Sequence, residues 1–277
     1  METCGLYVMK GKVTTNKLDK YHLIVAPSYA CNLKCRHCYL PDHSPLLLKK
    51  EKLLEIIDEW SEIVREETGQ TGIFHLKGGE PFVFPYLWEI LEYLASKDNL
   101  EVYITTNGTF TDKQIFKKLR TIFGDTNDDL TFIVSVDGFM PLTDALLRGE
   151  SHYYKARNFI ANLREYGFKF QINYVIHKYN FHEMEKFVRW AVKEGASQVN
   201  FIKFIAKGYG SKIRDFEISE NLYNQVITDL YTNGNDDVKR ILVGSIPYIR
   251  QKEHGRIAHR YCVICQEVIA KFWLQFL

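Results

Sequence analysis

The sequence predicts an α/β fold, a partial (β/α)6 TIM-like barrel, and three observations carry that prediction. Short β-rich runs alternate with longer amphipathic segments from about residue 22 to residue 204, the pattern of parallel strands joined by right-handed helical crossovers. The β-rich runs, such as Leu-Ile-Val-Ala and Phe-Ile-Val-Ser, are continuously apolar, as strands buried on both faces are. Compact polar motifs follow the β-rich runs directly, at the strand ends where barrels of this class build their sites.

Taken in order, the pattern predicts a strand over 22–26 and a helix over 50–67, then a strand over 72–77 and a helix over 85–96. It continues with 101–105 and 112–122, 130–136 and 152–166, 169–176 and 181–194, and a last strand over 198–204. In the first helix, Leu53, Ile56, Ile57, Trp60, Ile63 and Val64 fall on one stripe at three- and four-residue spacing. Six such units are too few for a closed eight-stranded barrel, so a partial open barrel ranks first and a doubly wound open sheet second. Residues 1–20 read as an N-terminal extension and 21–210 as the barrel. Residues 211–277 read as a short C-terminal extension holding a helix over 219–231 and a polar turn over 232–237.

Composition narrows the function classes. The 277 residues are 46% hydrophobic and 25% charged, with 36 basic against 34 acidic side chains and a net charge of +2. That balance calls for neither nucleic acid nor an anionic membrane as partner. No run approaches the roughly 20 apolar residues of a membrane span, and a soluble, cytoplasmic protein is expected. Six cysteines, five of them in two tight clusters, suit metal or redox chemistry in a reducing compartment better than a disulfide scaffold. The 18 Phe and 17 Tyr read as packing residues.

The motifs line up on the strand ends. After the first strand comes Cys31-x3-Cys35-x2-Cys38; after the second, Gly78-Gly79-Glu80-Pro81; after the third, Thr106-Asn107-Gly108; after the fourth, Ser135-Val136-Asp137-Gly138. The fifth strand carries the polar Asn173, and the sixth leads to Gly208-Tyr209-Gly210. Thr-Asn-Gly and Asp-Gly also serve as ordinary turns. Two glycines before Glu80 allow close backbone approach, and its carboxylate suits an ammonium group. Three thiolates suit a four-iron cluster with one iron left open to a ligand. A zinc site completed by His37 or His43, or a Cys35–Cys38 redox dithiol, are the alternatives. His75 reads as a core histidine, and His152, His177, His182, His254 and His259 as surface or capping residues.

The cysteine triplet with Gly78-Gly79-Glu80-Pro81 resembles the radical S-adenosylmethionine (radical SAM) superfamily over roughly residues 20–210, and the likeness takes in Thr106-Asn107-Gly108, Ser135-Val136-Asp137-Gly138, Thr143-Asp144 and Arg148-Gly149. The last strings resemble the branch of peptide- and cofactor-maturing enzymes that carry a C-terminal auxiliary-cluster domain. The resemblance implies a [4Fe–4S] cluster on Cys31, Cys35 and Cys38 whose open iron chelates the methionine end of SAM. It implies that Gly78, Gly79 and Glu80 hold the SAM amino group, Arg148 the carboxylate, and Thr106, Asn107 and Ser135 the ribose region. His37 is expected to pack near the adenine, and Asp137 and Asn173 are expected among the cofactor contacts.

The implied chemistry is reductive cleavage of SAM to a 5′-deoxyadenosyl radical that abstracts hydrogen from a peptide or small-molecule substrate, fed by an external low-potential donor of the flavodoxin or ferredoxin kind. Cys262 and Cys265, even with Cys4, are too few to close an auxiliary cluster. With the apolar stretch 272–277 they read as a truncated domain or a redox pair. The alternative reading is a degenerate relative that binds cluster and SAM without turnover.

Overall fold

A computed structural model of the chain describes residues 6–9, 21–40, 47–68, 71–124 and 129–242. Seven strands form one sheet in simple sequential order. Strand β1 (Leu6–Met9) pairs antiparallel with β2 (His22–Val25). The parallel set continues through β3 (Gly72–Leu76), β4 (Leu100–Thr106), β5 (Leu130–Ser135), β6 (Lys169–Ile176) and β7 (Gln198–Lys203). A doubly wound sheet reverses its strand order at a switch point. The unbroken order here places the fold with the partial barrels instead, and the six parallel strands form a curled half-barrel with helices, a partial TIM-like α/β fold.

The helices are α1 (Lys50–Thr68), α2 (Leu87–Ala95), α3 (Lys113–Phe123), α4 (Pro141–Arg148), α5 (His152–Glu165), α6 (Met184–Glu194), α7 (Glu220–Asn233) and α8 (Asp236–Leu242). Of these, α1, α2, α5 and α8 pack directly on strands β3 to β7, whereas α4 stands at the strand ends beside the cysteine loop. In α1 the positions Leu53, Ile57, Trp60 and Val64 are buried, each worth about 1.5–3 kcal/mol of transfer free energy. Ile63, assigned to the same stripe from its spacing, is 41% exposed, so the buried face is narrower than the run of apolar residues. The strands answer with Phe74, Leu76, Val102, Ile104, Phe132 and Tyr174, all inaccessible to solvent. Asp112 starts α3 by accepting from the Gln114 N–H at 2.9 Å, and Ser219 starts α7 by accepting from Leu222 N at 3.1 Å.

Three elements depart from the sequence reading. β1 lies inside the stretch read as an extension. Helix α4 occupies a stretch read only as motifs. It is short, and distant side chains tether it: Thr143 Oγ1 donates to Glu183 Oε2 at 2.8 Å. Helix α8 follows the expected polar turn, overlapping it only at 236–237, in a stretch to which no element was assigned; it forms where Val238, Ile241 and Leu242 turn inward and are buried. The concave face of the sheet differs from the convex one in carrying polar residues, among them His75, Thr105, Asn173 and Asn200. Among the described residues, no helix is long and apolar enough to cross a membrane.

Candidate functional site

The cysteine loop leaves β2 and is seated almost entirely by main-chain atoms. On one side Gly79 N donates to Ser28 O at 3.0 Å and Glu80 N to Ala30 O at 2.9 Å. A Cβ on Gly79 would run into the Ala30 carbonyl, and one on Gly78, whose φ is +137°, into the Ser28 carbonyl. Only glycine allows that approach at that φ. On the other side Arg36 N donates to Leu147 O at 2.8 Å and Tyr209 N to Cys38 O at 2.9 Å. Gly208, with φ +55°, lies against the Cys38 and Tyr39 carbonyls.

Cys31, Cys35 and Cys38 are free thiols, each half-buried. Burial raises all three thiol pKa values, that of Cys35 to about 12 despite the opposing charge of Arg148. Nitrogen donors are aimed at the sulfurs: Leu33 N lies 3.4 Å from Cys31 Sγ, Asn107 Nδ2 3.9 Å from the same atom, and Arg148 Nη1 3.9 Å from Cys35 Sγ. The site therefore fits a thiolate-held cluster, in which N–H donors to the sulfurs are a standard outer shell. A tetrahedral zinc bound at 2.3 Å needs its sulfurs about 3.8 Å apart. Among the described residues no three His, Cys, Asp or Glu side chains are grouped to hold a single metal ion.

Glu80 is the centre of one half of the site. Its side chain is 2% exposed and accepts from Thr106 Oγ1 at 2.8 Å, Asn107 N at 2.7 Å and Phe82 N at 3.2 Å. Burial raises its pKa to about 7, against the pull of those hydrogen bonds and the weaker pull of the Arg148 charge. A carboxylate offers about four acceptor positions, so three are spent on the protein, and Glu80 ties the end of β3 to the end of β4. Asn107 extends the tie: its Nδ2 donates to Asn32 Oδ1 at 2.8 Å, inside the cysteine loop.

Asp137 is the centre of the other half. It is fully buried and lies 2.5 Å from Arg148 Nε and 3.3 Å from His37 Nε2, while its Oδ1 accepts from Val175 N at 2.7 Å. Burial alone would raise its pKa; the Arg148 charge, with His37, outweighs that and holds it below the usual carboxylate value. Burial lowers the His37 pKa to about 4. Thus Arg148 spends its Nε on Asp137 and its Nη1 on the Cys35 sulfur, and the His37 ring is packed into this charged group.

Ser135 is buried at the end of β5, in register with Asn173, whose Oδ1 accepts from Asn200. The strand-end positions singled out in the sequence, Cys31 through Asn173, therefore gather at one rim. Sequence reasoning missed His152 and His177. Both were read as surface or capping residues, and both are wholly buried. His152 Nδ1 lies 2.6 Å from Asp144 Oδ2 and its Nε2 2.7 Å from the Asn107 carbonyl. Since a carbonyl only accepts, Nε2 carries a hydrogen, and the Asp144–His152 pair holds one further proton between them. Asp144 Oδ1 accepts from Asp137 N at 2.9 Å, so this pair links the two halves. The spacing of eight residues between Asp144 and His152 gives no periodic signal that reveals it. His182 is exposed, as expected, and His75 is a buried, hydrogen-bonded histidine, as expected. Cys4, His43, His254, His259, Cys262, Cys265 and the stretch 272–277 lie outside the described residues.

Comparison with known proteins shows the family and the fold. Residues 25–191, more than half of the chain, match the family model described as the radical SAM superfamily. The mycofactocin maturase MftC of Mycolicibacterium smegmatis is 27% identical over 191 residues, covering 68% of this chain and 45% of the maturase. The chain thus spans about half the length of the curated relatives it matches. Among solved structures, anSMEcpe with bound AdoMet superposes with a TM-score of 0.64 at 20% identity, covering 85% of this chain and 66% of that one. SuiB of Streptococcus suis, solved with its precursor peptide SuiA, gives 0.58 at 19% identity, covering 76% and 46%.

Proposed function

The chain belongs to the radical SAM superfamily, and from that premise we propose that it is a radical SAM enzyme acting on a peptide, in the maturation of a protein or peptide-derived cofactor. Cys31, Cys35 and Cys38 hold a [4Fe–4S] cluster, and SAM lies along the rim between the Glu80 and Asp137 halves. When bound, cluster and SAM supply a one-electron cleavage of the sulfonium carbon–sulfur bond and the removal of a hydrogen atom from substrate. The electron comes from a low-potential donor of the flavodoxin or ferredoxin kind.

The residues of the chain orient and enclose. Gly78 and Gly79 bring bare main chain to the cysteine loop, and Glu80 fixes Thr106 and Asn107 at the position of the ribose and amino groups, with one acceptor position of its own left for the ammonium. Arg148 offsets charge at Cys35, and its remaining N–H groups would hold the SAM carboxylate. Ser135 and Asn173 line the floor beside them. His37 contributes through Asp137 rather than by stacking on a base.

The single observation that carries the reading is the seat of the cysteine loop. Main-chain bonds from two glycine motifs 130 residues apart, at Gly78–Gly79 and at Gly208–Gly210, close on three half-buried thiols with N–H donors aimed at their sulfurs. The peptide assignment is supported by the likeness to the mycofactocin maturase and to SuiB, which was solved bound to a precursor peptide. Anaerobic reconstitution is expected to load about four irons per chain, and the Cys31→Ala, Cys35→Ala, Cys38→Ala triple variant is expected to load none. Dithionite and SAM are then expected to yield 5′-deoxyadenosine. A fully loaded chain that binds SAM but releases no 5′-deoxyadenosine overturns the enzymatic reading.

A further inference from the structure

The concave face of a closed barrel is packed with bulky branched side chains. Here β6 and β7 turn four carboxamides onto it. Gln171 and Asn173 stand two residues apart on β6, and Gln198 and Asn200 two apart on β7, with Gln171 beside Gln198 and Asn173 beside Asn200 in register. All four are half-buried. Gln198 Nε2 donates to Asn200 Oδ1 at 2.5 Å, and Asn200 Nδ2 donates to Asn173 Oδ1 at 3.0 Å and to Gln171 Oε1 at 3.3 Å.

A carboxamide has two N–H donors and one carbonyl. Both N–H groups of Asn200 are therefore used within the block, whereas no bond of the block uses the N–H groups of Gln171 and Asn173. Asn173 is also in register with Ser135 at the rim, so the block runs inward from the cofactor end of the site along the wall toward β7.

We propose that this carboxamide block is the substrate-recognition wall of the enzyme, and that it binds an extended peptide through the carbonyl groups of its main chain. Three features choose that ligand class. The block carries no formal charge, which suits neutral amide groups and gives nothing to a phosphate. Its donors repeat at two-residue spacing along a strand, about 6.6 Å, the interval at which an extended peptide presents same-facing carbonyls. The unspent groups on Gln171 and Asn173 are donors, which a main-chain carbonyl satisfies.

This inference rests on the radical SAM reading above and adds to it the means of recognition. The test uses the reconstituted full chain, immobilised, and a pool of random-sequence dodecapeptides with acetylated and amidated ends. With SAM present, the wild type is expected to retain peptides from the pool. The Gln171→Glu, Asn200→Asp variant, nearly isosteric but poorer in donors, is expected to retain at least tenfold less, with SAM affinity within twofold of wild type. The Gln171→Leu, Asn200→Leu variant is expected to do the same, and matching thermal midpoints separate this loss from misfolding.

Equal retention by wild type and both variants overturns the proposal, as does a wild type that binds and cleaves SAM yet retains no peptide. If SAM itself fails to bind while retention still depends on Gln171 and Asn200, the radical SAM reading falls and the peptide wall stands.

Discussion

Glu80 and Asp137 are both carboxylates, both fully enclosed, and both at the rim of the same half-barrel, yet their titration is shifted in opposite directions. Glu80 is surrounded by neutral donors from Thr106, Asn107 and Phe82, and its pKa rises to about 7. Asp137 lies against the Arg148 guanidinium, and its pKa falls. Burial is common to both, so the difference isolates the effect of a cation at contact distance. One half of the site is held by hydrogen bonds and the other by charge.

The largest test of that contrast is Asp137→Asn. It leaves Arg148 enclosed and unpaired, and the expected loss is about 3–5 kcal/mol in urea unfolding. A loss below about 1 kcal/mol would mean that solvent already screens the pair, and the distinction between the halves would collapse.

The next test is pH. Glu80 is protonated more readily in the fold than in the unfolded chain, where its pKa is near 4.5. The stability it lends is therefore fully present below pH 4.5 and lost as pH rises through about 7. Between pH 4.5 and 8 the stability gap between wild type and Glu80→Gln is expected to move by about 3 kcal/mol in favour of the glutamine variant. Asp137 has the opposite sign: its contribution is present above the ordinary aspartate value and lost as pH falls through its lowered pKa. A gap for Glu80→Gln that stays constant across this range would refute the assignment of the raised pKa.

His152→Leu probes the link between the halves by cutting the bonds to Asp144 and to the Asn107 carbonyl. An unfolding loss of about 1–3 kcal/mol is expected, and a neutral result would remove the linking role. The smallest effect belongs to Lys113→Ala. The Lys113–Glu165 pair, at 2.7 Å, is nearly as short as the Asp137–Arg148 pair at 2.5 Å, but both side chains are more than half exposed. No measurable change in urea unfolding is expected there, because solvent screens the pair, and a clear loss would show that distance rather than enclosure sets the scale.

Much of this was readable in the chain itself because the signals are local. The cysteine spacing, the two glycines before Glu80 and the stripe of α1 each lie within a few turns of backbone, and the strand order follows from their simple alternation with helices. What escaped depends on partners far along the chain. Helix α4 is short and pinned by Glu183, some 40 residues away. β1 has meaning only as the antiparallel neighbour of β2. His152 reaches a carbonyl 45 residues upstream, and α8 shows its apolar face only once α6 and β7 are there to receive it. The direction of the Arg148 side chain was likewise invisible: a guanidinium between an aspartate and a sulfur cannot be told from sequence spacing.

The seat of the cysteine loop has a consequence in time. Its first wall is built from residues 26–30 and 78–80, but its second is built from Leu147 and from Gly208–Gly210. The bond from Tyr209 to Cys38 closes a span of about 170 residues, and contacts that distant form late because chain entropy opposes them until the intervening structure exists. During synthesis, Cys31, Cys35 and Cys38 leave the ribosome long before the residues that complete their enclosure. Stable assembly of the proposed cluster is thus expected to follow folding of the whole half-barrel, and a nascent chain halted before Gly208 presents its three thiols in an unfinished frame.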